Sequence, residues 1–149
     1  MRQIRAIIFD LDGVICNTDK YHYLAWKKLA DRLGIYFDET INQKLRGVSR
    51  MESLEIVLGE KANKFSGMEK IALAEEKNNI YKEYLSTMTS EDLAEETRMT
   101  LYELRERGYL LGIGSSSKNT RQILKQLGLE SFFDAIADGT QITYSKPNP

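Results

Sequence analysis

The sequence predicts an α/β protein in which a parallel β-sheet is interrupted, after its first strand, by an all-helical insert. Residues 4–9 form a short run rich in β-branched side chains that ends at Asp10. Residues 110–114 form a second apolar run that ends at three serines, and residues 132–137 form a weaker third one. Short apolar runs are typical of buried parallel strands. The residues between the first two runs have helical periodicity instead.

Start and stop signals divide the insert into helices. Thr18 is expected to begin a helix that ends before Gly34. Ser49 and Ser66 each begin a Ser-x-x-Glu pattern, the capping box in which side chains satisfy the unpaired amides of a helix start. The side chains expected to form the buried stripes of the next two helices are Met51, Leu54, Val57 and Leu58, then Ile71, Ala74, Tyr81, Tyr84 and Leu85.

Two further helices, 97–107 and 119–127, flank the second strand, and each is followed by a glycine. Parallel strands joined by right-handed helical crossovers form a Rossmann-like sheet. We therefore predict a Rossmann-like core formed by residues 1–15 and 91–149, and a helical cap formed by residues 16–90. The cap would lie over the carboxyl end of the first strand, where ligands bind in open α/β sheets.

Composition argues against several classes of function. The chain has 21 Lys and Arg and 22 Asp and Glu residues, and no long run of one sign predicts a nucleic-acid partner or a membrane surface. No apolar run approaches the roughly 20 residues of a membrane span, and the N-terminus does not have the pattern of a secretory signal. The single cysteine, Cys16, fits a reducing cytoplasm. We interpret it as a small filler residue, because no basic cluster flanks it.

The strongest local signal is Asp10-Leu11-Asp12-Gly13, directly after the first strand. Extended geometry turns side chains i and i+2 to the same side, so Asp10 and Asp12 are expected to face one site. One carboxylate can attack phosphorus while the other donates or accepts a proton. Like charges this close favour a cation beside them, and Mg²⁺ prefers carboxylate, carbonyl and phosphate oxygens. A polar turn is the alternative, because Asp and Gly are common in turns.

Three segments resemble the motifs of the haloacid dehalogenase superfamily, in the right order along the chain: Asp10-Leu11-Asp12-Gly13-Val14, Ser115 and Lys146-Pro147. The resemblance implies that Asp10 is a nucleophile that becomes an aspartyl-phosphate, and that Asp12 is the acid/base. It also implies that Asp10 and the Asp12 carbonyl bind Mg²⁺, that Ser115 binds the phosphoryl group, and that Lys146 neutralises charge. A hydroxyl and backbone amides after a strand are suited to bind an anion. A flexible serine linker at 115–117 and a solvated Lys146 are the alternatives.

The insert is similar to the cap of the beta-phosphoglucomutases within that superfamily. The segment 45–53, Leu-Arg-Gly-Val-Ser-Arg-Met-Glu-Ser, resembles the part of that cap that grips a sugar phosphate. The similarity implies interconversion of beta-glucose 1-phosphate and glucose 6-phosphate through an aspartyl-phosphate and a bisphosphate intermediate. The residues to which it assigns substrate binding are Thr18, His22, Trp26, Gly47, Val48, Arg50, Ser53, Lys77, Ser117, Lys118 and Asn119.

Other interpretations of these residues stay open. A lone histidine such as His22 is often structural, Arg50 and Lys77 are compatible with solvated helix faces, and Trp26 is compatible with the cap core. A sugar-phosphate phosphatase of the same superfamily would use Asp10 and Asp12 in the same way and let water attack.

The superfamily pattern continues beyond Lys146-Pro147 to a fourth, acidic motif, whereas this sequence ends at Pro149. We therefore expect the core to be incomplete and the chain to be a portion of a longer protein, so that an inactive fragment is a further alternative. We also expect the first strand to become a sheet edge, through which the chain could pair with a second copy.

Overall fold

The computed structural model describes residues 3–144 and 146–148. The chain divides into two compact units, a core unit of Met1–Thr18 and Leu85–Pro149 and a cap unit of Asp19–Tyr84. The sequence assigned residues 16–18 and 85–90 to the cap. Hydrogen bonds hold both segments to the core unit: the Thr18 hydroxyl donates to Asp12, and the Gln126 side chain donates to three carbonyls between Leu85 and Met88.

The core unit contains a three-stranded parallel sheet in the order β1 (Ala6–Phe9), β2 (Leu110–Gly114) and β3 (Ala135–Ala137). Phe9 pairs with Ile113, and Ile113 pairs with Ile136, so the carboxyl ends of the three strands meet at one edge of the sheet. The predicted α/β class with a parallel sheet is confirmed. The third strand is shorter than the run 132–137, because the amide of Phe132 donates to Leu129 in a turn before the strand begins.

Strand β1 pairs only with β2 in the part of the chain that the structure describes. Ile8 of β1 is 76 % exposed, whereas Leu111 and Ile113 of β2 are buried. The expected apolar edge is therefore observed within the described ranges, and pairing with a second copy stays a prediction.

The α-helices are, in chain order, α1 (Asp19–Arg32), α2 (Glu39–Gln43), α3 (Arg50–Leu58), α4 (Gly67–Leu85), α5 (Glu95–Glu106) and α6 (Thr120–Gln126). Short 3₁₀ turns cover Gly59–Lys64 and Ser90–Asp92. In residues 3–144 and 146–148, no helix combines the length and the apolar character that a membrane crossing requires.

Both predicted capping boxes are confirmed. The Ser49 hydroxyl accepts from the Glu52 amide at 3.3 Å, and the Glu52 carboxylate accepts from the Ser49 amide at 3.2 Å. Ser66 and Glu69 exchange the same two bonds, at 3.2 and 2.6 Å. Two helices of the cap unit therefore start where local sequence directs them to start.

The cap unit is built around an apolar cluster to which α1, α3 and α4 all contribute. Leu54, Val57 and Leu58 are buried as predicted, but Met51 and Ile71 are exposed, so their assignment to the buried stripes was wrong. Both lie near the first turn of their helix, before the packed face begins at Ser53 in α3 and Leu73 in α4. The members of the cluster are Trp26, Leu29, Ala30, Phe37, Leu54, Val57, Leu58, Leu73 and Ala74.

Candidate active site

The carboxyl ends of β1 and β2 bring the candidate motifs of the core unit together. Asp10 directly follows β1, and Ser115 directly follows Gly114, the last residue of β2. The Lys146 ammonium donates to Asp10 Oδ1 at 2.8 Å and to the carbonyl of Gly114 at 3.1 Å. The Leu11 amide donates to the same Asp10 oxygen at 2.8 Å. Lys146 therefore bridges the ends of two neighbouring strands.

The Asp10–Lys146 ion pair is half open to solvent, with side-chain exposures of 45 and 54 %. At such exposure an ion pair contributes about 1 kcal/mol or less to folding, so the fold gains little from placing it there. Its chemistry is more informative. A carboxylate whose charge is offset by a neighbouring ammonium is suited to meet an electron-poor phosphorus that carries anionic oxygens.

Asp12 lies in a tight loop after β1. The Leu11 carbonyl accepts from the amides of Ile15 and Cys16, and the Gly13 amide donates back to the Cys16 carbonyl at 2.7 Å. Gly13 has a φ of +83°, in the left-handed region that side chains rarely adopt. The buried Thr18 hydroxyl donates to Asp12 Oδ1. Thr18, predicted to bind substrate, thus fixes the orientation of the second aspartate.

Cys16 is buried in this loop, and burial together with the charges of Asp12 and Asp92 raises the pKa of its thiol to about 12. A thiol with so high a pKa is not a nucleophile at neutral pH. The burial and the pKa both support the interpretation of Cys16 as a filler residue.

Residues 115–119 form a loop whose side chains bind its own backbone. The Ser115 hydroxyl accepts from the Ser117 amide at 3.1 Å, and the Ser117 hydroxyl accepts from the Asn119 amide at 3.2 Å. The Thr120 hydroxyl donates to the Ser117 carbonyl at 2.8 Å. Ser115 and Asn119 are buried, while Lys118 is exposed. The ordered bonds argue against a flexible serine linker.

A cavity of about 480 Å³ lies beside this loop, within the roughly 300–1,000 Å³ typical of small-molecule sites. Ser115 and Lys146 both line it. The hydroxyl predicted to bind a phosphoryl group and the ammonium that contacts Asp10 therefore share one cavity. The other lining residues are Gly114, Ser116, Ala137, Gln141, Ile142, Thr143, Tyr144 and Asn148.

In the cap unit, α1 and α4 enclose a buried lysine. Lys77 is 4 % exposed, and its ammonium lies 2.9 Å from Nδ1 of His22. It also lies 4.8 Å from the ring centroid of Trp26 and 4.9 Å from that of Tyr81. His22 stacks on Tyr81 with ring centroids 4.0 Å apart. An imidazole and two aromatic faces thus hold this cation.

Burial shifts the pKa of both titratable groups in this cluster. Desolvation, and then the charge of Arg50, lowers the pKa of Lys77 to about 7. Desolvation, followed by the charges of Lys77 and Arg50, lowers the pKa of His22 to about 3. His22 is therefore neutral at pH 7 and can accept a hydrogen bond from Lys77, whose charge changes near neutrality.

Arg50 extends the cationic character of this cluster. Its guanidinium donates to the side-chain oxygen of Asn78 at 3.0 Å, which links α3 to α4. Because Arg50 disfavours the charged form of Lys77, an anion near both groups would relieve their mutual repulsion. The remaining predicted cap residues differ in exposure: Gly47 is exposed with a φ of +72°, Val48 is half-buried, and Ser53 and Trp26 are buried.

Sequence reasoning did not single out Tyr81 and Asn78 as partners of the basic residues. Tyr81 was predicted only as part of a buried stripe, and Asn78 only as a neighbour of Lys77. The signal was the spacing, because positions 74, 77, 78 and 81 fall on one face of a helix, and the structure buries all four of them.

The Asp10 carboxylate and the Asp12 carbonyl are hard oxygen donors of the kind that Mg²⁺ prefers. In the described part of the chain, no group of three or more His, Cys, Asp or Glu side chains is placed to enclose a metal ion. The donors therefore fit Mg²⁺ in kind, and waters and substrate phosphates commonly provide further ligands to this ion. Mg²⁺ binding remains a prediction.

Comparisons with known proteins identify the family to which this chain is similar. The model of the family described as haloacid dehalogenase-like hydrolase matches residues 7–149. A beta-phosphoglucomutase of Bacillus subtilis is 41 % identical over 98 % of this chain and 66 % of its own length. A phosphorylated carbohydrates phosphatase of Thermotoga maritima is 26 % identical over the same shares of both chains.

A solved structure is also similar to this chain along nearly all of its length. The crystal structure of a beta-phosphoglucomutase from Clostridium difficile is 44 % identical, with a TM-score of 0.85 over 99 % of this chain and 67 % of that one. The chain thus spans about two thirds of the length of these relatives. With the family model matching almost every residue, this chain belongs to the haloacid dehalogenase-like hydrolases.

Proposed function

We propose that this chain carries the machinery of a phosphotransferase that interconverts beta-glucose 1-phosphate and glucose 6-phosphate through an aspartyl-phosphate on Asp10. The observation that carries the proposal is the position of Lys146, whose ammonium lies 2.8 Å from Asp10 Oδ1 and 3.1 Å from the carbonyl that precedes Ser115. A nucleophile, a cation and a hydroxyl are thereby grouped at one edge of a parallel sheet. The similarity to beta-phosphoglucomutases supports a sugar phosphate as substrate.

The reaction has two half-cycles. Phosphorylated Asp10 transfers its phosphoryl group to the free hydroxyl of beta-glucose 1-phosphate, which gives a bisphosphate. The bisphosphate then turns over and returns its other phosphoryl group to Asp10, which leaves glucose 6-phosphate. In each half-cycle a phosphorus–oxygen bond on one side forms as the bond on the other side breaks. Asp12 removes the proton from the attacking hydroxyl and returns it to the leaving oxygen.

The other residues of the core unit hold charge and orientation. Thr18 holds the Asp12 carboxylate through its hydroxyl. Lys146 offsets negative charge on Asp10 and on the transferred group, and Ser115 donates to a phosphoryl oxygen. Mg²⁺ bound by Asp10 and the Asp12 carbonyl would offset further charge on the phosphoryl oxygens.

We retain the basic residues of the cap unit as substrate-binding residues. Arg50 and the buried Lys77 form an electropositive cluster that suits a phosphate, and neutral His22 is available as a hydrogen-bonding partner. The same proposal covers Trp26, Gly47, Val48 and Ser53 of the cap unit and Ser117, Lys118 and Asn119 of the loop after β2. A mutase must also exclude water while the aspartyl-phosphate waits, and a cap can serve that purpose.

A sugar-phosphate phosphatase is the second candidate function, and the similarity to the Thermotoga maritima phosphatase favours it. It would use the same two aspartates, with water as the attacking group. The proposal for either enzyme includes a cytoplasmic location, on the basis of the single cysteine, and a small-molecule substrate in place of a nucleic acid, on the basis of the net charge of −1.

One assay separates these functions. The chain is supplied with beta-glucose 1-phosphate, Mg²⁺ and a trace of glucose 1,6-bisphosphate, and both glucose 6-phosphate and inorganic phosphate are measured. The mutase predicts glucose 6-phosphate without steady phosphate release, and the phosphatase predicts the reverse. Asp10→Ala should abolish either activity, whereas Asp12→Ala should lower turnover by about 10²–10⁴ while still permitting slow phosphorylation of Asp10. Wild-type chain that forms neither product contradicts both functions and supports an inactive fragment.

A further inference from the structure

The turn that follows β3, residues 138–141, packs against the loop 115–119 on which the proposed phosphoryl site depends. The Ser115 amide donates to the Ala137 carbonyl at 2.9 Å, which extends the pairing of β2 with β3 to the start of the loop. The Gly139 amide donates to the Ser117 carbonyl at 3.0 Å. The proposed reaction gives this turn no role, yet its Gly139 amide is bonded to the loop backbone, and β3 just before it is bonded to the first residue of the loop.

Gly139 leaves no room for a side chain. A Cβ atom at this position would lie 2.9 Å from the Lys118 nitrogen and 2.9 Å from the Ser116 carbonyl carbon, and closer still to the Ser116 oxygen. These neighbours are backbone atoms, so a rotamer change cannot relieve the contact. Any other residue at 139 would have to displace either the turn or the loop.

Asp138 is a buried charge that organises the same turn. Its side chain is 2 % exposed, and its carboxylate accepts from the Thr140 amide at 2.9 Å and from the Thr140 hydroxyl at 2.5 Å. Arg121 of α6, the helix that continues from the loop, lies 3.3 Å from the other carboxylate oxygen. The Asp138 amide donates to the Gln141 side chain, and the Gln141 amide returns a bond to Asp138. A buried carboxylate is costly unless it is bonded in this way.

We propose that Asp138 and Gly139 are positioning residues that fix the backbone of 115–119, and thereby the direction in which the Ser115 hydroxyl meets a phosphoryl group. The inference rests on the proposed function in one respect, the assignment of Ser115 to the phosphoryl group. Asp138 holds the turn in shape, Gly139 brings it into backbone contact with the loop, and the loop carries Ser115 and Ser117. The hydrogen bonds of Thr140, followed by the charge of Arg121, keep the pKa of Asp138 below its ordinary value.

The test uses the whole chain with three substitutions: Gly139→Ala, Thr140→Val, and Thr140→Ser as the matched control that keeps the hydroxyl. Inorganic phosphate is titrated while the amide ¹⁵N and ¹H shifts of residues 115–119 are recorded, and kcat and KM for beta-glucose 1-phosphate are measured separately. We expect Gly139→Ala to raise the Kd for phosphate and the KM by about 10- to 100-fold, since small displacements of a binding group have effects of this size. Thr140→Ser should remain close to wild type.

As the pH is lowered, Thr140→Val should lose phosphate affinity at a higher pH than Thr140→Ser does. It removes the largest cause of the low pKa of Asp138, so the carboxylate is protonated, and the turn loosened, at a higher pH. If Asp138 and Gly139 only stabilise the fold, the substitutions should lower the free energy of unfolding but leave the phosphate affinity of the folded chain, and the pH profile of that affinity, unchanged.

The outcomes separate this inference from the proposed function. If Gly139→Ala binds phosphate with wild-type affinity, the inference is overturned. It is also overturned if the amide shifts of residues 115–119 in the wild-type chain do not respond to phosphate. If Gly139→Ala does not fold, identical pH profiles for the Thr140→Val and Thr140→Ser chains overturn it instead. If the wild-type chain has neither mutase nor phosphatase activity but the variants still bind phosphate more weakly than it does, the positioning role is supported and the proposed function is contradicted.

Discussion

Replacing Lys77 with methionine should stabilise the folded chain at neutral pH, although Lys77 is one of the residues proposed to bind substrate. The pKa of Lys77 is about 7 in the fold and 10.5 ordinarily, so between these values the unfolded chain binds more protons than the folded chain. Stability therefore rises with pH across this window, and the folded state carries a penalty of about 4 kcal/mol at pH 7. Methionine has a similar length and no charge to desolvate. The stability that Lys77→Met gains is reduced by about 1–3 kcal/mol, because His22 Nδ1 loses its hydrogen-bond donor, so the unfolding free energy should rise by roughly 2 kcal/mol net.

Urea unfolding at pH 7, 8 and 9 tests this expectation, with Lys28→Met of the same unit as the control for an exposed lysine. From pH 7 to pH 9, the unfolding free energy should rise more for the wild-type chain than for Lys77→Met, and the difference between the two increases should be about 2 kcal/mol. The comparison stops at pH 9, because the raised pKa of Cys16 makes stability fall with pH above that point. Equal pH slopes for the two chains, or a Lys77→Met chain less stable than wild type at pH 7, would refute the reasoning.

Three further predictions follow from the described contacts. His22 has a pKa of about 3 in the fold and 6.5 ordinarily, so its contribution makes the unfolding free energy fall by about 1.4 kcal/mol per pH unit as the pH drops from 6.5 toward 4. Urea unfolding should therefore give a shallower dependence of the unfolding free energy on pH for His22→Gln than for wild type, and equal slopes would contradict the low pKa of His22. Thr18→Val should lower the unfolding free energy by about 1–3 kcal/mol, because it removes the bond to Asp12. Thr18→Ser keeps that bond and should lose only the roughly 0.8 kcal/mol of one buried methyl group, so equal losses in both variants would point to packing instead. Lys146→Met should slow phosphorylation of Asp10 by about 10²–10³-fold, measured as the intact mass of the protein in quenched reactions. The same variant should change the unfolding free energy by about 1 kcal/mol or less, and a large loss of stability would show that the ion pair stabilises the fold.

The grouping of Asp10 with Ser115 was predictable from the sequence, because polar residues after two parallel strands must meet at one edge of the sheet. The capping boxes at Ser49 and Ser66 were predictable for a similar reason, since their bonds join residues three positions apart. The contact between Lys146 and Asp10 is different. It spans 136 positions, so only the resemblance of Lys146-Pro147 to a known motif indicated it.

Two features of the molecule were outside the reach of local patterns. The buried face of α4 carries the polar residues Lys77 and Asn78, and a search for apolar spacing passes over both of them. No sequence pattern singled out Asp138 and Gly139, which directly follow the apolar run 132–137. Their contact with the loop 115–119 depends on the pairing of β3 with β2, which is a property of the folded sheet and not of any short segment.

The pairing of Ala6 with Leu110 joins two strands that lie far apart along the chain, and the cap unit occupies most of the interval between them. Closing a flexible loop costs entropy that grows roughly as (3/2)RT ln n with its length. The cap unit is one continuous segment, and its apolar cluster takes every member from within that segment. Its early collapse would shorten the flexible tether between β1 and β2, so that the insertion point favours a folding order with the cap first and the sheet second.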